Sequence, residues 1–266
     1  MRSFKAKAVG HVRQEALAER YKNSEALITR VKRELVVAPM IPESGKGLDI
    51  GCRDGRYTKY LKGLELTSID IDPRDMEKLK AEGHGKFIVA DVQQMPFPGN
   101  SFDFVLFSEV LEHVPDQKKA LKEIARVLRP GGKVLITTPS ARYPATWDFS
   151  NWLRGLLGRQ PKRRKSVFTN WTPDHKRLYT YSGLREDVSS VLEVEKAIAS
   201  GRVFTPFLQA AWLPFYAIVK ACRKLRLGFV ARPLEKLFWL FIKVSIREDC
   251  EKDVPCLTLI VLARKR

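Results

Sequence analysis

Three acids stand at or near the ends of short apolar runs. Asp49 lies inside Gly47-Leu48-Asp49-Ile50-Gly51, Asp70 closes Leu66-Thr67-Ser68-Ile69, and Asp91 closes Phe87-Ile88-Val89-Ala90. A carboxylate accepts two hydrogen bonds side by side, which suits a pair of hydroxyls on one ligand. Asp70 follows Asp49 by 21 positions, near the spacing at which doubly wound folds set an acid against ribose hydroxyls. Between them Gly51 and Gly55 open a tight loop, where the backbone turns sharply and comes close to a ligand. Such a glycine turn is equally the ordinary punctuation of a β-to-α loop. Further on, Ser108-Glu109-Val110-Leu111-Glu112-His113 ends another apolar run. With an ordinary pKa of about 6.5, His113 suits removal of a proton near neutrality; bracing a loop is its plainer role. His175 is a second candidate, and His11 and His84 read as surface positions.

These residues need strands and helices to hold them. Residues 47–50, 66–70, 87–92, 102–107 and 133–138 read as strands, the last introduced by Pro130-Gly131-Gly132. Helical spacing separates them, and alternation of strand and helix implies a mostly parallel sheet. Asp116 is placed to cap a helix over 117–128, with Ala120, Leu121, Ile124, Val127 and Leu128 as its buried stripe. Before the sheet, residues 11–38 form a helical pattern in which Leu27, Ile28, Val31 and Leu35 recur and Lys32, Arg33 and Glu34 fall between them. Pro39 and Pro42 end it. It packs on the sheet edge or lids the ligand pocket. Ser182 is placed to cap a helix over 183–192, and residues 192–198 and 255–262 read as two closing strands.

The series LDIGCRDG, SIDIDP, ADVQQMPFPGNSFDFVLFSEVLEHV and LRPGGKVLITTP resembles the class I S-adenosylmethionine (SAM) methyltransferases, over residues 45–140 and more weakly to about 195. The branch is that of the ubiquinone and menaquinone methyltransferases. The resemblance implies an α/β, Rossmann-like, doubly wound sheet of seven strands, mostly parallel with an antiparallel last strand. A SAM-binding core over 45–200 would follow an N-terminal helical cap over 1–44, and an apolar and basic helical insertion over 201–252 would precede the last strand and basic tail over 253–266. It implies SAM as cofactor. Asp49, Gly51 and Gly55 would surround its amino-acid part, Asp70 its ribose, and Ile71 its adenine face. Asp91 would take the adenine amine, the Val92 amide the ring, and Ser108 and Glu109 the sulfonium side. Asp72, followed by Pro73, reads as a cap. In ubiquinone-type O-methyltransferases the residues matching Glu109, Glu112 and His113 gather a divalent metal; in other members the same run serves unlike substrates, and no metal is assigned here. The family usually has glycine where this chain has Arg53. Its side chain must point away, its φ must be negative, or it pairs with the SAM carboxylate.

The chain has 266 residues and a net charge of +18, unevenly placed: 25 basic against 20 acidic residues up to position 150, and 23 against 10 beyond it. A basic surface attracts phosphate, in nucleic acid or in anionic lipid head groups. The run Arg159-Gln160-Pro161-Lys162-Arg163-Arg164-Lys165 reads as a solvated loop or a head-group contact. Residues 203–247 mix aromatic and aliphatic residues with Lys and Arg. Prolines and charges interrupt the roughly 20 apolar residues that a span needs, so the segment reads as an element lying in an anionic membrane interface, a substrate lid or a dimer face. Cys52, Cys222, Cys250 and Cys256 show no paired or zinc spacing, and with no apolar leader after Met1 the expected location is cytoplasmic, peripheral at the inner membrane face. The expected acceptor is a small or lipid-linked molecule, methylated on oxygen. Nucleic acid is the lesser alternative, since the amino-directed base-methylase motif and RNA-binding modules are missing. A SAM-binding protein without activity is the other. The glycine turn lacks the GxGxxG spacing of nicotinamide enzymes.

Overall fold

The computed structural model describes residues 28–53, 57, 60–61, 63–75, 85–142, 149–159, 174–202, 215, 217–219, 221–222, 224–225, 227–246 and 249–266. Strands β1 (Lys46–Ile50), β2 (Glu65–Asp70), β3 (Lys86–Val89), β4 (Phe102–Ser108), β5 (Leu128–Pro139), β6 (Glu193–Ser200) and β7 (Thr258–Arg264) form one sheet. Its order is β3-β2-β1-β4-β5-β7-β6. The pairs β1–β2, β2–β3, β1–β4 and β4–β5 are parallel, and β7 runs antiparallel to both β5 and β6. After β3 the chain crosses back to the other side of β1. That reversal opens a crevice beyond the carboxyl ends of β1 and β4, where open α/β sheets bind ligands.

Both faces of the sheet are covered, which explains the nearly unbroken apolar runs of β1 and β4. On one face Leu48, Ile50, Val105, Phe107, Val134 and Ile136 pack with Ala120, Leu121, Ile124 and Val127 of helix α2 (Gln117–Val127) and with Leu184 and Val188 of α4 (Tyr181–Ser189). On the other, Phe104, Leu106, Leu135 and Ile260 pack with Leu61, Leu64, Ile41 and Val37. Val37 ends helix α1 (Ile28–Val37), and a short 3-10 turn, Ala38–Met40, follows. Helix α3 (Phe149–Leu156) and the long α5 (Gly228–Ile246) lie outside these two layers of contacts, and α5 packs against α1.

Most elements lie where periodicity puts them, with differences at the ends. Asp116 caps α2 by accepting from the Lys119 amide at 2.9 Å. Leu128 leaves that helix and starts β5, which runs through Pro130-Gly131-Gly132. There the chain end pairs with it: the Gly131 amide donates to the Lys265 carbonyl at 2.9 Å, and the Lys265 amide returns to the Gly132 carbonyl at 2.9 Å. A Cβ on Gly132 would lie 2.9 Å from the Arg129 carbonyl oxygen and 3.1 Å from that of Phe102, so only glycine fits so close to the backbone there. Strand β3 stops at Val89, and Asp91 sits in an isolated bridge with Gln94. Ser182 does not cap α4. The helix begins two residues earlier, so Thr180 is the cap, accepting from the Gly183 amide at 3.1 Å, and Ser182 donates to Asp253 at 2.6 Å. Of the helical pattern over 11–38 only α1 falls within the described residues. His11, His84 and residues 160–165 of the basic run lie outside them.

The phase of α1 differs from the apolar count. Glu34 is fully buried and accepts from the Tyr60 hydroxyl at 2.5 Å, and Val37 has no exposed surface. Arg33 shares that inward side. Its cation therefore enters the protein at the end of β4.

Candidate functional site

Strand β1 delivers its chain into the crevice at Gly51, whose φ is +72° and whose Cβ, if it had one, would lie 2.2 Å from Val110 Cγ2. No side chain fits that approach. Arg53 next turns left-handed, at φ +38°. The expected escape through negative φ is therefore not taken: this residue bears a Cβ in a conformation that favours glycine. The Arg53 amide donates to Asp70 Oδ2 at 3.0 Å, and the Asp72 amide donates to Asp70 Oδ1 at 3.0 Å. Each Asp70 oxygen thus carries one backbone bond and keeps a second lone pair for a ligand hydroxyl. The left-handed turn is what brings the Arg53 amide to that carboxylate. Arg74 bonds Asp72 through its amide and its guanidinium, fixing the short turn Pro73–Asp75, as its capping role requires.

Ile71, beside Asp70, is 72% exposed. An isoleucine left bare next to an oriented acid offers an apolar platform to a flat ring. Across it, Asp91 accepts from the Gln93 amide at 2.8 Å and from Gln93 Nε2 at 2.9 Å. A ligand amine at Asp91 must therefore share the carboxylate with Gln93 or displace its side chain. Gly51, Asp70, Ile71, Asp91, Val92 and His113 line one cleft of about 190 Å³. Small-molecule sites usually hold about 300–1,000 Å³, so this cleft has room for only part of a cofactor-sized ligand. Asp49 does not line it. It is buried within β1, between Ser68 and Leu106. Gly55 lies outside the described residues.

A second polar group gathers where β4 and β5 end. The Ser108 hydroxyl lies 2.7 Å from Thr137 Oγ1, which donates to Glu109 Oε1 at 3.0 Å. Glu109 has φ +57°, and its amide donates to the Thr137 carbonyl at 2.8 Å. Its other oxygen, Oε2, meets Arg33 Nη1 at 2.5 Å. Burial works against the Arg33 charge, yet Glu109, then Tyr57 and Glu112, outweigh it and hold the guanidinium above its ordinary pKa. Burial pushes the Tyr57 hydroxyl up as well.

After Glu109 the chain makes a 3-10 turn, Leu111–His113. Glu112 is 1% exposed and accepts from Thr138 Oγ1 at 3.1 Å. Burial, then the nearby Glu109, pushes its carboxyl well above the usual carboxylate range, against Thr138 and Arg33. His113 Nε2 is 3.9 Å from Glu112 Oε1, and its ring meets that of His175 edge to face at 4.9 Å between centroids. His175 arrives from the segment before α4 because two ties hold it there. The Lys176 amide donates to the Glu112 carbonyl at 2.7 Å, and Gln117 Nε2 bridges the carbonyls of Leu111 and Arg177 at 2.6 and 3.3 Å.

The expected trio of Glu109, Glu112 and His113 is not what converges. No helix runs through Glu109 and Val110, and the Glu109 carboxylate turns to Arg33 and Thr137. Among the described residues the donor atoms that come together are those of Glu112, His113 and His175. Sequence reasoning missed Arg33, Thr137, Thr138 and Gln93. For Arg33 one signal was available: it stands four positions before Val37, on the same side of the helix.

Residues 48–136 match a family model described as a methyltransferase domain. The sheet order, the glycine approach at Gly51 and the clamped Asp70 agree with that match. The chain carries a class I S-adenosylmethionine-dependent methyltransferase domain. It is 33% identical over 131 residues to the chloroplastic tocopherol O-methyltransferase of Arabidopsis thaliana, covering 44% of this chain and 38% of the relative. It is 26% identical over 180 residues to the 2-methyl-6-phytyl-1,4-hydroquinone methyltransferase of a Synechocystis strain, covering 65% and 54%. The chain thus spans about half the length, or less, of these relatives. Among solved structures, an N-methyltransferase of Haemonchus contortus, held with phosphomonomethylethanolamine and S-adenosylhomocysteine, superposes with a TM-score of 0.54 at 18% identity, over 88% of this chain and 52% of that one. At that identity the likeness shows the fold. SAM is the cofactor of this family, and the site suits it: an acid with two lone pairs to spare, an apolar platform beside it, and a glycine no Cβ can replace. When bound, SAM supplies a methyl group on a good leaving group, so the protein's part is alignment and the handling of an acceptor proton. In the methyltransferase domain Asp70 and Ile71 line the cleft together with Gly51, Asp91, Val92 and His113.

Proposed function

We propose that the chain transfers a methyl group from SAM to an oxygen of a lipophilic or lipid-linked acceptor, such as a quinone precursor or a polyprenyl-linked sugar, at the cytoplasmic face of a membrane. The observation that carries this is α5. Phe229, Leu237, Leu240 and Phe241 lie along one side of that helix and are exposed, Phe229 by 77%. Lys236 is exposed on the same side. The opposite side, with Ala231 and Ser245, is buried. An outward apolar stripe in a basic half-chain describes a helix that lies in an anionic interface. Among the described residues no helix is long and apolar enough to cross a membrane. Because α5 packs on α1, and α1 carries Arg33 to Glu109, the stripe is coupled to the polar group at the site.

Both curated relatives named above bear names of phytyl or tocopherol substrates, which supports a lipophilic acceptor. In this reading the acceptor oxygen is handled by Glu112, His113 and His175, of which His113 borders the cofactor cleft. The net charge of +18 favours RNA as the second reading. Methyl-labelled SAM offered with total lipid, RNA and soluble metabolites separates them. Label in lipid is expected. Label in RNA alone would overturn the reading, and SAM binding with no label would favour a binder without activity.

A further inference from the structure

We propose that Glu112, His113 and His175 form a binding site for a divalent first-row transition-metal ion of the zinc or cobalt kind. One oxygen of Glu112 and one ring nitrogen of each histidine lie within 4.8 Å of one another. Two imidazoles and a carboxylate are donors for such ions; magnesium and calcium prefer oxygen throughout.

The surroundings aim these donors inward. His113 Nδ1 is 3.2 Å from the Asp174 carbonyl oxygen, which cannot donate, so Nδ1 carries a proton and Nε2 is the ring nitrogen on the Glu112 side. A carbonyl behind the distal nitrogen is the usual support of a metal-binding histidine. Thr138 holds Glu112 Oε2, which leaves Oε1 on the histidine side, 3.9 Å from His113 Nε2. Lys176 and Gln117 lock the two chain segments together through backbone carbonyls, so the three donors are placed without help from an ion. Glu112 and His175 are both more than nine-tenths buried.

This site differs from the set that the family resemblance implies. Glu109 belongs to Arg33 here, and His175 takes its place. Three protein donors leave coordination positions open, and His113 puts them at the border of the cofactor cleft, where an acceptor oxygen would lie. The inference rests on the geometry of the three side chains and does not need methyl transfer to be observed.

The test uses the full, tag-free chain, stripped with a chelator and titrated with CoCl2, then with ZnCl2. The expected result is one equivalent of Co2+ per chain with visible d–d absorption, displacement by Zn2+, and a rise in melting temperature with either ion. His113→Ala and His175→Gln are each expected to weaken Co2+ binding at least about tenfold, since even outer partners of such ligands cost that much. The double change Arg33→Met with Glu109→Gln, which strands no charge, keeps Co2+ binding. His113 is half exposed, so its variant carries the test if the His175 variant does not fold. No saturable Co2+ spectrum, binding that survives both histidine changes, or binding lost from a folded Arg33→Met, Glu109→Gln double variant would overturn the proposal. The readout is equilibrium binding, so its failure leaves the methyltransferase reading untouched, and absence of labelled product leaves this one.

Discussion

Arg33 Nη1 meets Glu109 Oε2 at 2.5 Å, joining the N-terminal helix α1 to the end of β4. The Arg33 side chain is 11% exposed and that of Glu109 27%. Removing one partner strands the other in a poorly solvated place. Breaking a fully buried pair costs about 3–5 kcal/mol, and the partial exposure of Glu109 brings the expected loss for Arg33→Met to about 2–3 kcal/mol. The double change Arg33→Met with Glu109→Gln leaves no stranded charge and recovers most of that stability. Urea unfolding of the single and double variants checks both statements.

Asp70→Asn keeps the shape and gives up one acceptor oxygen. Arg53 and Asp72 amides already claim one bond on each oxygen, so the amide NH2 of asparagine faces a donor it cannot accept. A lost charged hydrogen bond is worth about 1.5–3 kcal/mol, so SAM affinity is expected to fall about 10–100-fold, and the melting temperature falls as well because one backbone amide loses its acceptor. Calorimetric titration with SAM gives the answer; an affinity within a factor of about two of the wild type would remove Asp70 from the ribose site.

Gly51→Ala meets two obstacles at once, the Val110 methyl and a φ of +72°. Overpacking and left-handed strain each cost about 1–3 kcal/mol. Adding Val110→Ala removes the collision and leaves the strain, so the double variant is expected to regain part of the stability. Full recovery would show that the backbone angle costs nothing.

Glu123 accepts from the Met95 amide at 3.0 Å and pairs with Arg126, which also reaches the Phe97 and Met95 carbonyls. The Arg126 hydrogen bond, with the Met95 amide, outweighs burial and holds the Glu123 carboxyl below its usual range. A carboxyl depressed on folding contributes stability above its unfolded pKa and loses it as pH falls through the folded value. The wild type is therefore expected to lose stability relative to Glu123→Gln below about pH 4.3, where the unfolded carboxyl begins to protonate. Unfolding free energies of the two proteins across the acid range check the sign. A difference that does not shrink on acidification would contradict it.

The apolar stripe of α5 predicts binding to anionic vesicles that weakens in salt. Phe229→Ser and Leu240→Ser each remove about 1.5–3 kcal/mol of apolar burial if the side chain inserts, which is about tenfold or more in vesicle affinity. Cosedimentation with phosphatidylserine vesicles measures it, with neutral vesicles as the control. Equal binding by wild type and the double variant would mean that the stripe faces something other than lipid.

Local chemistry made much of this protein legible before its structure. The apolar runs, the acids that close them and the glycine between them are short-range features, and they placed β1 to β5, Asp70, Ile71, Asp91 and the Asp116 cap. Even so, ends shifted where a distant partner decided them: β5 extends through Gly131 and Gly132 because the last residues of the chain pair with it, and Thr180 replaces Ser182 as a cap because Asp253 takes the serine. The polar group at the reacting side was not legible. Apolar spacing in α1 counted Leu35 and left Arg33 and Glu34 between the apolar positions without a partner assigned, but Tyr60 and Glu109, far along the chain, receive them inside the protein. A positive φ at Glu109 cut the Glu109-Val110-Leu111-Glu112-His113 run into two parts with different partners. Which carboxylate stays with the histidines, and which histidine joins from elsewhere, depends on contacts between segments that share no local pattern. Residue types and spacing therefore determined the sheet and the family; only the tertiary structure decided that Arg33 takes Glu109 and that His175 joins Glu112 and His113, because burying a charge requires a partner that folding alone can bring.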